Sequence, residues 1–106
     1  MRVELQNCEG GCVVSVSGRI KNDSSPDLRA LLLAHLNSPR CRSVTVDLVK
    51  VDYIDTSALA IFLETLRAAR GLKKAFRLTG LQGRPQYLLE ATGLMHLFTE
   101  VPHTVA

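Results

Sequence analysis

Apolar positions along the chain switch between two periods, and the switches mark out its elements. Val3 and Leu5 alternate with Glu4 and Gln6, Glu9 to Gly11 read as a turn, and Val14 and Val16 alternate with Ser15 and Ser17. A period of two on both sides of a short glycine turn predicts a hairpin of two strands. Ser25 then precedes Pro26 and Asp27, the order of a helix N-cap followed by proline in the first turn. Leu28, Leu31, Leu32, His35 and Leu36 recur at helical spacing until Asn37, Ser38 and Pro39 stop the helix. Val44, Val46 and Leu48 alternate with Thr45 and Asp47, a third strand with a possible resumption from Val51 to Ile54. Asp55, Thr56 and Ser57 open a second helix with Leu59, Phe62, Leu63 and Leu66 on one stripe, and Gly71 ends it. Phe76 and Leu78 mark a fourth strand ending at Gly80. Pro85 opens a third helix carrying Leu88 and Leu89, with Gly93 as its C-terminal stop. Leu97 to Val101 fits a short last strand or an irregular tail.

Two consecutive strand-helix-strand units require parallel neighbours joined by right-handed crossovers. The expected fold is therefore α/β: a mixed, mostly parallel sheet with an N-terminal hairpin and packed α-helices. In such sheets ligands and partners meet the loops beyond the carboxyl ends of the strands. Asn22 to Ser25, Asp55 to Ser57 and Leu81 to Gly83 should gather there.

A length of 106 residues makes this one domain, 1–106. With 46% apolar and 22% charged residues, the composition is globular and excludes a disordered chain. The net charge of +3 is too small to imply nucleic-acid binding, and aromatics at 5% leave few rings for stacking bases. The longest apolar run, Ala58 to Leu63, falls far short of the roughly 18 residues of a membrane span, so no direct insertion is expected. Met1 to Gly10 holds no apolar signal core, which points to the cytoplasm. Cys8, Cys12 and Cys41 are then expected as reduced thiols.

Catalytic chemistry finds no footing. The chain has no phosphate-binding glycine loop, no Gly-x-Ser-x-Gly elbow and no His-Glu-x-x-His. Cys8 and Cys12 flank a tight turn, yet neither Cys41 nor any histidine falls at a spacing that completes a familiar zinc set. The expectation is small buried thiols, and no metal, cofactor or catalytic residue. His35 sits on an apolar stripe as a packing residue, and His96 and His103 have no partner near in sequence. Without a histidine to serve it, Ser57 is a poor hydrolase nucleophile. Arg67, Arg70, Lys73, Lys74, Arg77 and Arg84 form a basic run without an acid, read as a solvated face.

The informative stretch is Val51-Asp52-Tyr53-Ile54-Asp55-Thr56-Ser57-Ala58-Leu59-Ala60. A helix start explains Asp55 or Thr56 as a cap. It does not require a second hydroxyl at Ser57, where Ala or Glu would serve equally. A hydroxyl in the first turn faces backbone N–H groups and the positive helix end, so a phosphate placed there is stabilised.

Asp55-Thr56-Ser57-Ala58-Leu59 resembles the Asp-Ser-Ser-Gly-Leu signature of STAS domains, the fold of anti-sigma factor antagonists and sulfate transporter tails. Gly18-Arg19-Ile20 is similar to the start of the family's Gly-Glu-Leu-Asp element, Val44 to Leu48 to its apolar strand, and Leu88 to Leu97 to its closing helix. The resemblance implies a non-enzymatic antagonist that binds an anti-sigma factor serine kinase as a monomer. Phosphorylation at Ser57, with Thr56 as second choice, would switch that binding off. Asp23, Ser24, Asp55, Thr56, Ser57 and Ala58 would form the partner-binding surface. Two departures stand out: Ala58 replaces glycine, and Lys21 replaces the family's Asp, with Asp23 two residues on. The alternative implied by the same resemblance is the cytosolic STAS subunit of a lipid-transporting ABC transporter, docked on its ATPase.

Overall fold

The computed structural model describes residues 1–8 and 10–99. Glu9 of the expected turn, Val101 and His103 lie outside them, as does the side chain of His96. The elements run β1 (Arg2–Cys8), β2 (Gly11–Ile20), α1 (Ser25–Leu36), β3 (Ser43–Ile54), α2 (Thr56–Gly71), β4 (Ala75–Thr79), α3 (Gly83–Ala91) and α4 (Met95–Thr99). They form a single sheet in the order β1-β2-β3-β4. β1 pairs antiparallel with β2, and β2–β3 and β3–β4 pair in parallel. The fold is the mixed α/β sheet expected from the patterning.

Inward positions of the strands alternate as expected for a sheet with one covered face. Cys12, Val14 and Val16 of β2, Val44, Val46 and Leu48 of β3, and Phe76 and Leu78 of β4 are all buried. The helices cover these positions with Leu28, Leu32 and Leu36 from α1, Ala58, Phe62, Leu66 and Ala69 from α2, Leu89 from α3 and Phe98 from α4. Phe62, Phe76 and Phe98 meet as a triangle, with ring centroids 6.2–6.5 Å apart. Phe98 belongs to a helix, not to the strand or tail expected after Leu97. Five residues are enough for the turn that turns its ring inward. Leu63, expected in the core stripe, is half-buried beside it, because Phe62 takes the central position.

The apparent break in the third strand is two irregularities in one continuous element. Pairing with β2 shifts between Ser15 and Ser17 and again between Gly18 and Arg19. Each shift leaves an extra residue on β3, which resets the alternation so that Leu48, Val51 and Ile54 all face inward. The close of β4 is built around the first irregularity. Gly80 adopts φ +71, and a Cβ there would lie 2.6 Å from the backbone N of Val49. Glycine alone permits both the left-handed turn and this approach.

Two further expectations change. The cap of α1 is Ser24 and not Ser25, whose hydroxyl turns instead to the site described below. Cys12 and Cys41 are joined in a disulfide rather than standing as free thiols. Cys12 is the first inward residue of β2 and Cys41 lies just before β3, and parallel pairing of these strands brings their Cα atoms to 5.8 Å.

This packing predicts unequal costs within α2. Phe62→Ala should lower unfolding free energy by about 3–5 kcal/mol, as for other fully buried aromatics. Leu63→Ala should cost clearly less, and urea unfolding of the two variants checks the order.

Candidate functional site

β2 and β3 end side by side, and their carboxyl ends deliver the site. Asp55, the residue after β3, donates its N–H to the Ile20 carbonyl at the end of β2. Its extended backbone (φ −114, ψ −175) places the side chain over the first turn of α2. Oδ1 accepts from the N–H groups of Ser57 (3.0 Å) and Ala58 (3.2 Å), and from the Ser57 hydroxyl (2.5 Å). Oδ2 accepts from the Asn22 N–H at 3.0 Å. One carboxylate thus caps α2 and ties it to the loop entering α1.

A second link runs through hydroxyls. Ser25 Oγ lies 2.8 Å from Ser57 Oγ and 2.9 Å from the Lys21 carbonyl. Each hydroxyl has one proton to give. The ionised Asp55 is the strongest acceptor, so it takes the Ser57 proton, and the Ser25 proton is shared between Lys21 O and Ser57 Oγ. Ser25 is buried and Ser57 half-buried. Partial burial alone would raise the Asp55 pKa, but the Ser57 hydroxyl and the N–H groups of Ala58, Asn22 and Ser57 outweigh it. They hold the carboxyl below its ordinary value.

The expected residues divide by exposure. Thr56 and Asp23 are exposed, and Ser24 is half-buried, with its hydroxyl donating to Lys21 O at 3.2 Å. Ala58 is completely buried, so it supports the surface from below and presents none of it. Its methyl packs in the core beneath the cap, the place where α2 must approach the sheet.

The third expected segment joins differently. β4 ends level with Asp47, while β3 continues to Ile54, so Leu81 to Gly83 run beside the later half of β3. Gln82 donates to the Val49 carbonyl there at 2.9 Å. The segment reaches the site end through Arg84, whose guanidinium lies 4.8 Å from the Tyr53 ring centroid. Arg19 packs on the same ring at 5.4 Å. This pair of cations around Tyr53 escaped the sequence, because Arg19, Tyr53 and Arg84 belong to three elements. The basic run is not uniformly solvated either: Lys74 donates to the carbonyls of Leu36 (2.6 Å) and Ser38 (2.9 Å), closing the end of α1.

At the opposite end of the sheet the expected absence of a metal set meets a different geometry. Ligand atoms of Cys12, His35 and Cys41 all lie within 4.8 Å of one another. Their spacing along the chain conceals this, since the β2–α1–β3 crossover folds back on itself to bring them together.

The chain matches the family described as Mlab, STAS domain, over residues 4–100. The protein belongs to the STAS family. An anti-sigma-B factor antagonist of Staphylococcus aureus is 31% identical over 84 residues, covering 79% of this chain and 77% of its own. An anti-sigma factor antagonist structure from Mycobacterium paratuberculosis superposes with a TM-score of 0.83 at 23% identity, over 92% of this chain and 82% of that one. The Bacillus cell fate determinant SpoIIAA in its phosphorylated form superposes with a TM-score of 0.74 at 13% identity, over 99% of this chain and 100% of that one. In this STAS chain the signature residues Asp55 to Ala58 are the α2 cap. Among the described residues no helix is long and apolar enough to cross a membrane.

The cap makes a pH-dependent contribution of known sign. A carboxyl held below its ordinary value stabilises the fold above about pH 4 and loses that contribution as pH falls through the lowered folded value. Asp55→Ala should therefore cost about 1 kcal/mol near neutrality. The gap in melting temperature from the parent should narrow in acid, as thermal unfolding across pH will record.

Proposed function

We propose that the protein is an anti-sigma factor antagonist, a monomeric partner-switching module that binds an anti-sigma factor serine kinase and is released by phosphorylation at Ser57. The observation that carries this reading is the position of the Ser57 hydroxyl. It stands in the first turn of α2, at the carboxyl ends of the parallel strands, between Asp55 and Ser25. The curated relative named an anti-sigma-B factor antagonist supports the same reading.

The electrostatics explain how a phosphate acts as a switch. The helix start favours an anion. Its Ser57 and Ala58 N–H groups, however, already bond to Asp55. A phosphate carrying nearly two negative charges must share those donors with a carboxylate it repels, or swing outward to the exposed side near Thr56. In either case it adds charge to the contact surface of Asp23, Ser24 and Thr56. Burying that charge against a partner without a matching cation costs several kcal/mol.

One observation favours the second reading, the STAS subunit of a lipid-transporting ABC transporter docking on its ATPase. Thr56 is the exposed hydroxyl, whereas that of Ser57 is engaged by two neighbours. A threonine presented to a permanent partner needs no kinase.

The readings separate by calorimetric titration against the cognate kinase. Ser57→Ala should bind like the parent and resist inactivation by ATP, and Ser57→Asp should fold but bind at least tenfold more weakly. Undiminished binding by Ser57→Asp rules out a Ser57 switch and moves the transporter reading ahead.

A further inference from the structure

The end of the sheet remote from Ser57 carries a group of residues that partner switching does not use. Cys12 is 5% exposed and Cys41 3%, and the half-buried His35 stands on the last turn of α1 beside them. A disulfide needs no imidazole. Yet a ring nitrogen of His35 lies within 4.8 Å of both sulfurs, and the ring makes no hydrogen bond to any described residue. The frame around them is firmly held. Cys41 N–H donates to Ser38 O, Arg42 N–H to Gly10 O, and Lys74 secures the carbonyls of Leu36 and Ser38.

We propose that Cys12, Cys41 and His35 form a site for one zinc-type divalent cation, open when the cysteines are reduced and closed by their disulfide. Tetrahedral coordination at ordinary Zn–S and Zn–N bond lengths separates ligand atoms by about 3.5–3.8 Å. The three side chains meet that spacing with small rotations once the S–S bond is gone, because the Cα atoms of the cysteines are already 5.8 Å apart. Two thiolates and one imidazole match the preferences of zinc over those of calcium or magnesium, and water completes the fourth position. The charges also balance. Two thiolates and a divalent cation are together neutral, so the Lys74 ammonium on the neighbouring carbonyls does not oppose binding.

The chemistry has two steps. A cellular dithiol supplies two electrons and two protons, breaking the S–S bond to give two thiols while the dithiol closes to its own disulfide. The cation then displaces both thiol protons to solvent, forming two metal–sulfur bonds and one bond to neutral His35. Exchange with the oxidised form of that dithiol reverses the sequence: its disulfide takes two electrons from the thiolates and two protons from solvent to return to the dithiol, the Cys12–Cys41 bond re-forms and the ion leaves. The site lies on the β2–α1–β3 crossover, whose other end holds Asn22 and Ser25 against Asp55 and Ser57.

The test uses the whole chain, reduced with a phosphine, desalted without oxygen and titrated with Co2+. A thiolate-to-cobalt charge-transfer band that saturates at about one equivalent and disappears on adding Zn2+ is the expected result. The oxidised protein should give no band. Cys12→Ser and Cys41→Ser should each abolish it, Cys8→Ser should leave it unchanged, and His35→Ala should weaken binding by at least about tenfold, with circular dichroism reporting that each variant folds. A reduced parent chain that gives no band overturns the proposal without recourse to any variant. Equal affinity in His35→Ala, or loss of the band in Cys8→Ser, overturns the assignment of ligands.

Discussion

The Asp55 carboxylate is the interaction on which the rest of the site depends. It accepts from Asn22, Ser57 and Ala58 N–H groups and from the Ser57 hydroxyl, so both oxygens are committed. Two loops that leave adjacent parallel strands would otherwise be free to separate. Instead the entry to α1 and the entry to α2 are fastened to one charge, and the Ser25–Ser57 hydroxyl contact repeats the connection. Local cap, crossover geometry and the placement of the Ser57 hydroxyl are therefore one structural fact. A charge added at Ser57 acts on the same acceptor network that positions its surroundings.

The fold supplies this site with a rigid support. Ile20 and Ile54, the last residues of β2 and β3, are paired and fully buried just beneath it. Ala58 closes the core under the cap, and Leu28 and Phe62 anchor the two helices that begin there. Arg29 and Glu64 join the outer faces of α1 and α2 through a bidentate pair, Nε donating to Oε1 and Nη2 to Oε2, although it is solvent-exposed and adds little stability. The loops are short because strand ends and helix starts are already aligned. Such a frame transmits little of a surface change inward.

Most elements were legible because each apolar stripe belongs to one local period. Val14 and Val16 against Ser15 and Ser17, or Leu28, Leu32 and Leu36, announce their structure without reference to any neighbour. The helix start at Asp55 was equally legible, since capping is a local bond. What the sequence concealed depends on pairing between distant segments. The β3 irregularities arise from register with β2, so Val49 and Lys50 look like the end of a strand when read alone. The level at which β4 stops, and hence the reach of Arg84 to Tyr53, is set by the same register. Membership of the signature assigns Ala58 to the contact surface, yet helical rotation turns it into the core. Cys12, His35 and Cys41 have no motif spacing at all, and only the crossover assembles them.

The central claim is that Asp55 simultaneously holds Asn22, Ser57 and Ala58. A two-dimensional 1H–15N NMR titration in acid reads this directly, because an amide bonded to a carboxylate shifts when that carboxylate gains its proton. The account predicts that the three amides move with one shared midpoint below the ordinary aspartate value near 4, and that all three movements vanish in Asp55→Asn. An Asn22 amide that ignores the titration, or a midpoint at or above the ordinary value, would contradict it.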